Sequence, residues 1–492
     1  MAEKITEEKK TALDWIGKNE HKIIGLSDTI WGYAEPALRE FKSAKLHCDF
    51  LRENGFQVEE GVAGMPTAFV AQYGLGKPVI GFYAEYDATP GNSQKPVPYK
   101  EPVVPHGPGF EDAHNMLGAA STGAVVAAKE AIEKHNLRGT VKLFGTPAEK
   151  LLVGKCYLAR EGYFDDLDAV LGWHPWNLNT VRWEKGPTPH RFVVSKFHGI
   201  QVFSATPWAG KSALDAGIIM INNINYMKEH VLPHNEYPIV SEIISVGGQS
   251  LTNTPEYCEI LLGIRAKTRK GIEAILEMLS NCAHAASIVT GCEYEQHIMS
   301  GTRTMLPNIS LAKLVYRNLQ IVGPPKFTEE EKEFCRQIQK NIGIEPMKEP
   351  LDETLTPPEK EAAEFFAGSD DYNEFTWHAP SAWLHTALTF KTDIRFGYVS
   401  IQNWARCALR KMGVTHKGGV LAAKTLAISA IDLLTSPSEL EKAKEEFEER
   451  TKAGKEELAV PKDTKPPIEL ALPEFNGKEI IIRYPTSGKK PV

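Results

Sequence analysis

The sequence predicts an α/β fold: a mainly parallel sheet covered by helices, interrupted by an inserted ferredoxin-like α+β unit. Three observations predict it. Short apolar runs such as Val79–Ala84, Val141–Phe144 and Ala169–Gly172 alternate with helix-length segments, the pattern that builds a parallel sheet buried on both faces. Each run stops at a turn or a polar cluster. From about Pro189 the order changes to β-α-β-β-α-β, and after about Thr304 it changes back.

Taken in order, Glu7 to Asn54 reads as two amphipathic helices, with Trp15, Ile24, Leu26, Ile30 and Trp31 on apolar faces. Ala68–Ala71 and Val79–Ala84 are strands. Met116 to Lys134 is a helix rich in Gly, Ala and Ser, suited to close packing on a sheet. Strands at Val141–Phe144 and Ala169–Gly172 follow. In the insert, Arg191 to Phe203 alternates like a strand with one exposed face, Ser212 to His230 is helical, and Ile239–Val246 and Tyr257–Ala266 are strands. Lys270 to Val289 is a second helix, and Glu293–His297 closes the set. Ser436 to Arg450 is a charged helix, and the Pro- and Lys-rich end beyond it reads as loosely held. The expected division is a catalytic α/β domain over 1–188 and 305–440, an insert over 189–304, and a tail over 441–492.

Composition narrows the function. At 492 residues two domains are a better expectation than one. A net charge of -7 argues against a nucleic-acid partner. No run approaches eighteen apolar residues, so no membrane span is expected. The N-terminus is charged, without an apolar signal core. Seven cysteines, at 48, 156, 258, 282, 292, 335 and 407, form no CxxC pair; they read as reduced thiols of a cytoplasmic protein.

The chemistry lies at element ends. Glu85, Asp87, Glu149 and His174 fall at the carboxyl ends of predicted strands, where ligands gather in such sheets. Asp112 and His114 open the small-residue helix, and Thr415-His416-Lys417-Gly418 lies far downstream. Carboxylates and imidazoles so placed are what a hydrolytic metal site requires.

Several segments together resemble the metallopeptidase family 20 amidohydrolases, in the branch of p-aminobenzoyl-glutamate hydrolase B subunits and related dipeptidases. They are Ile30–Glu35, Gly61–Ala68, Ala84–Gly91, Ser212–Ala216, Gly368–Asp371 and His416–Gly418. The resemblance runs over nearly the whole chain. It implies a zinc-peptidase-like domain with an inserted dimerisation lid, a homodimer, and a small-molecule substrate. It also implies a site. The family's Cys-Gly-His-Asn falls on Asp112-Ala113-His114-Asn115, so His114 keeps a ligand position and Asp112 stands where the cysteine would be. The Glu-Glu pair falls on Glu149-Lys150: Glu149 keeps the general base, and Lys150 replaces a ligand. His174 and His416 take the remaining ligand positions. The lid His that polarises the scissile carbonyl is replaced by Phe203. With Asp112, His114, His174 and His416 as the metal set, one divalent ion, zinc or manganese, is the expected complement, or none.

Four further residues are candidates for the substrate. Asn253 matches a lid Asn that contacts substrate in the family, and Arg265 ends a lid strand where relatives grip a carboxylate. His378 and Asp371 border the Gly368–Asp371 loop near the pocket. Asp87 is expected to orient a ligand histidine or the pocket loop and not to bind metal itself. His106 reads as a loop histidine and His198 as a structural one. Two functions follow. One is hydrolysis of a small N-acyl amino acid or dipeptide. The other is a repurposed, metal-depleted site in which Glu149 and Lys150 act as an acid/base pair in condensation, cyclisation, isomerisation or elimination. A catalytically silent dimer partner is a third.

Overall fold

The computed structural model describes residues 5–184, 186–231, 234–361, 368–392, 400–470 and 472–481. Two helices open the chain, α1 (Glu7–Tyr33) and α2 (Phe41–Glu53). Thr6 caps α1 by accepting the Lys9 N–H, and Ala34 ends it in the left-handed region. Then come β1 (Gln57–Glu60), β2 (Phe69–Leu75), β3 (Val79–Ala84), α3 (His114–His135), β4 (Gly139–Gly145), α4 (Gly154–Arg160), β5 (Ala169–Trp176) and β6 (Thr180–Val181). The second part of this layer holds α7 (Ile309–Val322), α8 (Glu329–Asn341), α9 (Pro358–Glu361), β11 (Ser381–Ala387), α10 (Asn403–Cys407), α11 (Gly413–Thr435) and α12 (Pro437–Thr451). Between the two parts lie β7 (His190–His198), α5 (Ala213–Val231), β8 (Ile239–Val246), β9 (Tyr257–Arg265), α6 (Arg269–Thr290) and β10 (Glu293–Thr302).

The main sheet has the order β1-β2-β4-β3-β5-β11-β6. Its four middle strands, β4, β3, β5 and β11, run parallel, and the outer ones are antiparallel. All residues of β3 and β11 are buried, as strands covered on both faces must be. The small residues of α3 let it come close to α1: a side chain at Gly123 would run into Ile23. Two helices, α6 and α11, reach the length and hydropathy of a membrane span. Both are packing elements here, α11 in the main core and α6 in the core of the insert.

The insert forms its own sheet, β10-β7-β9-β8, with every pair antiparallel. Numbered within the insert this is the 4-1-3-2 order of a ferredoxin-like unit. It has a separate core, in which Met220 and Ile224 of α5 and Ile275 and Leu279 of α6 meet Ile260 and Leu262 of β9. Phe203, Trp208 and Leu251 stand out on connecting loops, 61%, 80% and 100% exposed.

The tail departs from expectation. Up to Ile481 it is fastened along the main layer, not loose. Arg160 and the Tyr157 hydroxyl donate to the carbonyls of Pro461 and Lys465, at 3.0 and 2.9 Å. Arg39 donates to Leu470 at 3.3 Å and pairs with Glu474 at 3.5 Å. Prolines cost a segment its ladder donors but leave its carbonyls, and here those carbonyls accept from side chains.

Candidate active site

The end of β4 is shaped by backbone contacts before any side chain reaches the cleft. Thr146 donates its N–H and its hydroxyl to the Ala84 carbonyl, at 2.9 and 3.0 Å, tying the β4 end to the β3 end. Ala148 then turns left-handed (φ 56°), and a single 3-10 turn carries Glu149, Lys150 and Leu151. Asp87 follows β3, and its Oδ2 accepts the Lys150 N–H at 2.9 Å. His114 is the first residue of α3, set by a left-handed Ala113. His174 comes from β5.

These elements converge. His114 donates Nδ1–H to Asp87 Oδ1 at 2.7 Å, which turns Nε2 toward Glu85 Oε2 (3.1 Å) and Glu149 Oε2 (3.7 Å). His174 donates Nδ1–H to the Pro175 carbonyl at 2.9 Å, which leaves its Nε2 for a ligand. Burial and the Lys150 ammonium pull the His114 ring down, but Glu85 and Asp87 outweigh them and raise it to about 9. Burial lowers His174 to about 3, so that ring is neutral. Burial also raises Glu149 above the usual carboxyl range, against Lys150 and His114.

Two lysines and an arginine complete the charge pattern. The Lys150 ammonium lies 2.5 Å from Asp112 Oδ2, 3.4 Å from Glu149 and 3.5 Å from Glu111. Asp112 Oδ1 meets Arg406 of α10 at 3.1 Å. Burial works against ionisation of Asp112, yet Lys150 and Arg406 hold it well below the usual carboxylate range. Deeper in, Lys155 of α4 is fully buried between Glu85 Oε1 (2.6 Å) and Asp371, 4.7 Å above the Tyr83 ring.

The structure gathers part of the expected set and places the rest elsewhere. His114, His174, Glu149, Lys150 and Asp87 lie together. Asp112 lies beside them, with both its oxygens engaged by Lys150 and Arg406, outside the cluster of ligand atoms formed by Glu85, His114 and His174. His416 is on α11, where its Nε2 meets Asp28 of α1 at 2.9 Å. It therefore ties two helices together. Asp371 is fully buried and grips Lys155 by backbone and ammonium. His378 bridges Asp165 (2.8 Å) and Arg303 (3.1 Å) against the Phe164 ring, a structural use. Asn253 pairs with Phe203 on an insert loop. Arg265 ends β9 opposite His190; burial works against its charge, and Glu149 and Asp112 are near enough to favour it.

Sequence reasoning missed three contributors. Arg406 and Lys155 carry no motif; only the fold brings them to Asp112 and Glu85. His385 of β11 is in parallel register with His174, and neither of its ring nitrogens has a hydrogen bond among the described residues.

Glu85, His114 and His174 offer ligand atoms all within 4.8 Å of one another. Glu85 Oε2 and His114 Nε2 face each other at 3.1 Å as an ion pair, with no hydrogen bond among the described residues, and Asp87 orients the His114 ring as a carboxylate does behind a metal-bound histidine. This donor set fits one divalent ion. A second group, Glu85, Asp370 and Asp371, surrounds the Lys155 ammonium, which already supplies the positive charge there.

The sequence relatives of this chain are amide-bond hydrolases, and with them it is an amidohydrolase-like enzyme. Its homologues include the B subunit of p-aminobenzoyl-glutamate hydrolase from Escherichia coli, 29% identical over 92% of this chain and 97% of the relative. The Xaa-Arg dipeptidase of Mus musculus is 25% identical, over 89% of this chain and 92% of the relative. No family model matches the chain. Among solved structures, the aminobenzoyl-glutamate utilization protein from Klebsiella pneumoniae shares the fold, with a TM-score of 0.57 at 14% identity over 85% of this chain and 97% of that one.

Proposed function

We propose that this chain hydrolyses the amide bond of a small N-acyl amino acid or dipeptide, with Glu149 as general base and one divalent ion held by Glu85, His114 and His174. The observation that carries the reading is the convergence of Glu149 with His114 at 3.7 Å, beside the clustered ligand atoms of Glu85, His114 and His174. When bound, such an ion supplies Lewis acidity and lowers the pKa of water. Glu149 takes the proton of the attacking water and passes it to the leaving nitrogen as the C–O bond forms and the C–N bond breaks. Lys150 keeps that carboxylate paired on its outer side. Arg265 offers a cation for a substrate carboxylate. Turnover of p-aminobenzoyl-glutamate and of Xaa-Arg dipeptides, with metal analysis of the same preparation, tests the reading. Absence of both turnover and metal sinks it.

A second reading is favoured by one observation, the Lys150–Asp112–Arg406 chain of charges. In it Glu149 and Lys150 act as an acid/base pair on an amide-bearing substrate without hydrolysis. Metal-free protein that converts such a substrate without releasing an amine would support it. The exposed Phe203, Trp208 and Leu251 further support a homodimer joined through the insert, because apolar side chains so exposed mark contact surfaces when they cluster.

A further inference from the structure

Glu40 lies outside the imidazole cluster. It precedes α2 and is completely buried. Its Oε1 accepts the N–H of Ala148 at 2.8 Å, and its Oε2 accepts the Thr67 hydroxyl at 3.0 Å. Two residues further on, Asp87 accepts the N–H of Lys150. Glu149 therefore sits between two backbone amides, each held by a buried carboxyl group from a different element. The residue before it, Ala148, has φ 56°, a conformation that side chains other than glycine adopt reluctantly and that persists only where surroundings over-determine it. A carboxyl group is a costly way to fill an apolar interior unless its acceptors are needed.

We propose that Glu40 is a positioning residue for the reaction: by accepting the Ala148 N–H it holds the left-handed turn that aims Glu149 at His114 and Glu85. The inference rests on the reading of Glu149 as general base. Asp87 shares the task, but it also orients His114, so its loss cannot separate the two roles. Glu40 touches neither His114 nor His174 through any hydrogen bond or ion pair among the described residues; its repulsion with Asp87 is removed alike by Leu and by Gln, so comparing the two variants isolates the clamp.

Leucine and glutamine at position 40 give the test. Glu40→Leu keeps bulk and removes the acceptor. Glu40→Gln keeps an oxygen for Ala148 and can turn its amide toward Thr67. Amide hydrogen exchange at Ala148 reports the clamp without any assay, and thermal unfolding confirms that each variant is folded. In Glu40→Leu, exchange at Ala148 should rise at least about tenfold and kcat on p-aminobenzoyl-glutamate should fall about ten- to a hundredfold with KM nearly unchanged, since misaiming a base raises the barrier and not the binding constant. Glu40→Gln should restore both to near wild type. Should the Leu variant fail to fold, Thr67→Val, which frees one side of the Glu40 carboxyl, should shift both readouts in the same direction by less. Wild-type exchange at Ala148 in the folded Leu variant overturns the clamp. Faster exchange with unchanged kcat overturns its part in the reaction, as does a Gln variant as impaired as Leu. Full turnover in Glu149→Gln refutes instead the general-base reading on which the inference rests.

Discussion

The ammonium of Lys150 lies 2.5 Å from Asp112, whose other oxygen is held by Arg406 at 3.1 Å. Asp112 is thus paired on both sides by cations. The two cations supply at Asp112 the charge that an ion would supply, without its open coordination positions. A metal ion about 4 Å from such an ammonium would be repelled by several kcal/mol at an intermediate effective dielectric.

The wild type should therefore bind at most one divalent ion per chain. Lys150→Glu should raise the stoichiometry, read by metal analysis of protein purified in excess zinc. Two tightly bound ions in the wild type would return the site to an ordinary two-metal arrangement.

Glu149→Gln keeps the size and hydrogen bonding of the side chain and removes the base. Hydrolysis should fall about 10²–10⁴-fold, the usual contribution of a positioned acid/base. Retention of activity within about tenfold would assign the proton transfer to another group.

His47 predicts an acid limb in stability. It is fully buried, its Nδ1 lies 2.9 Å from the Thr122 hydroxyl, and burial lowers it to about 3. Unfolded, it takes up a proton near its ordinary value of 6.5. The unfolded state thus binds more protons between these values, so this contribution is complete above about pH 6.5 and is lost as pH falls toward 3. His47→Gln should flatten the fall of unfolding free energy in that window, by up to about 1.4 kcal/mol per pH unit, in denaturant titrations at about pH 6.5, 5.5 and 4.5. An unchanged slope would assign the acid sensitivity to other groups.

The exposed apolar residues of the insert should be covered by a second copy. Light scattering at micromolar concentration should give a dimer mass. Replacing Trp208 and Leu251 together by Ser should shift it toward monomer while leaving the far-ultraviolet circular dichroism intact. A monomeric wild type would remove the dimer from the reading.

Much of this architecture is legible in the sequence because periodicity and burial agree. The strands from Val79, Val141 and Ala169 are recognisable since central parallel strands are apolar on both faces. The insert is recognisable since its β-α-β-β-α-β order interrupts that pattern. The site is half legible. His114, Glu149 and His174 can be located from motifs at element ends, but the partners that decide their charge cannot. Arg406 reaches Asp112 from nearly three hundred residues away, and Lys155 looks in sequence like any surface lysine of a short helix. His416 misleads for a related reason: a histidine in a motif-like setting serves helix packing against Asp28. The tail reads as loose because its composition is that of disordered segments, while its anchors, Tyr157, Arg160 and Arg39, lie in other parts of the chain.

The register of the main sheet sets an order of events for the ribosome. β5 pairs along its length with β11, Val170 opposite Ser381, so the neighbour it needs emerges about 200 residues later. At about 5–20 residues per second, that edge waits some 10–40 s. The insert, whose strands pair only with one another, is completed within the wait. Nascent chains stalled just before β11 should thus carry a folded insert on an unfinished, apolar-edged sheet, the stage of synthesis at which this protein most needs protection from self-association.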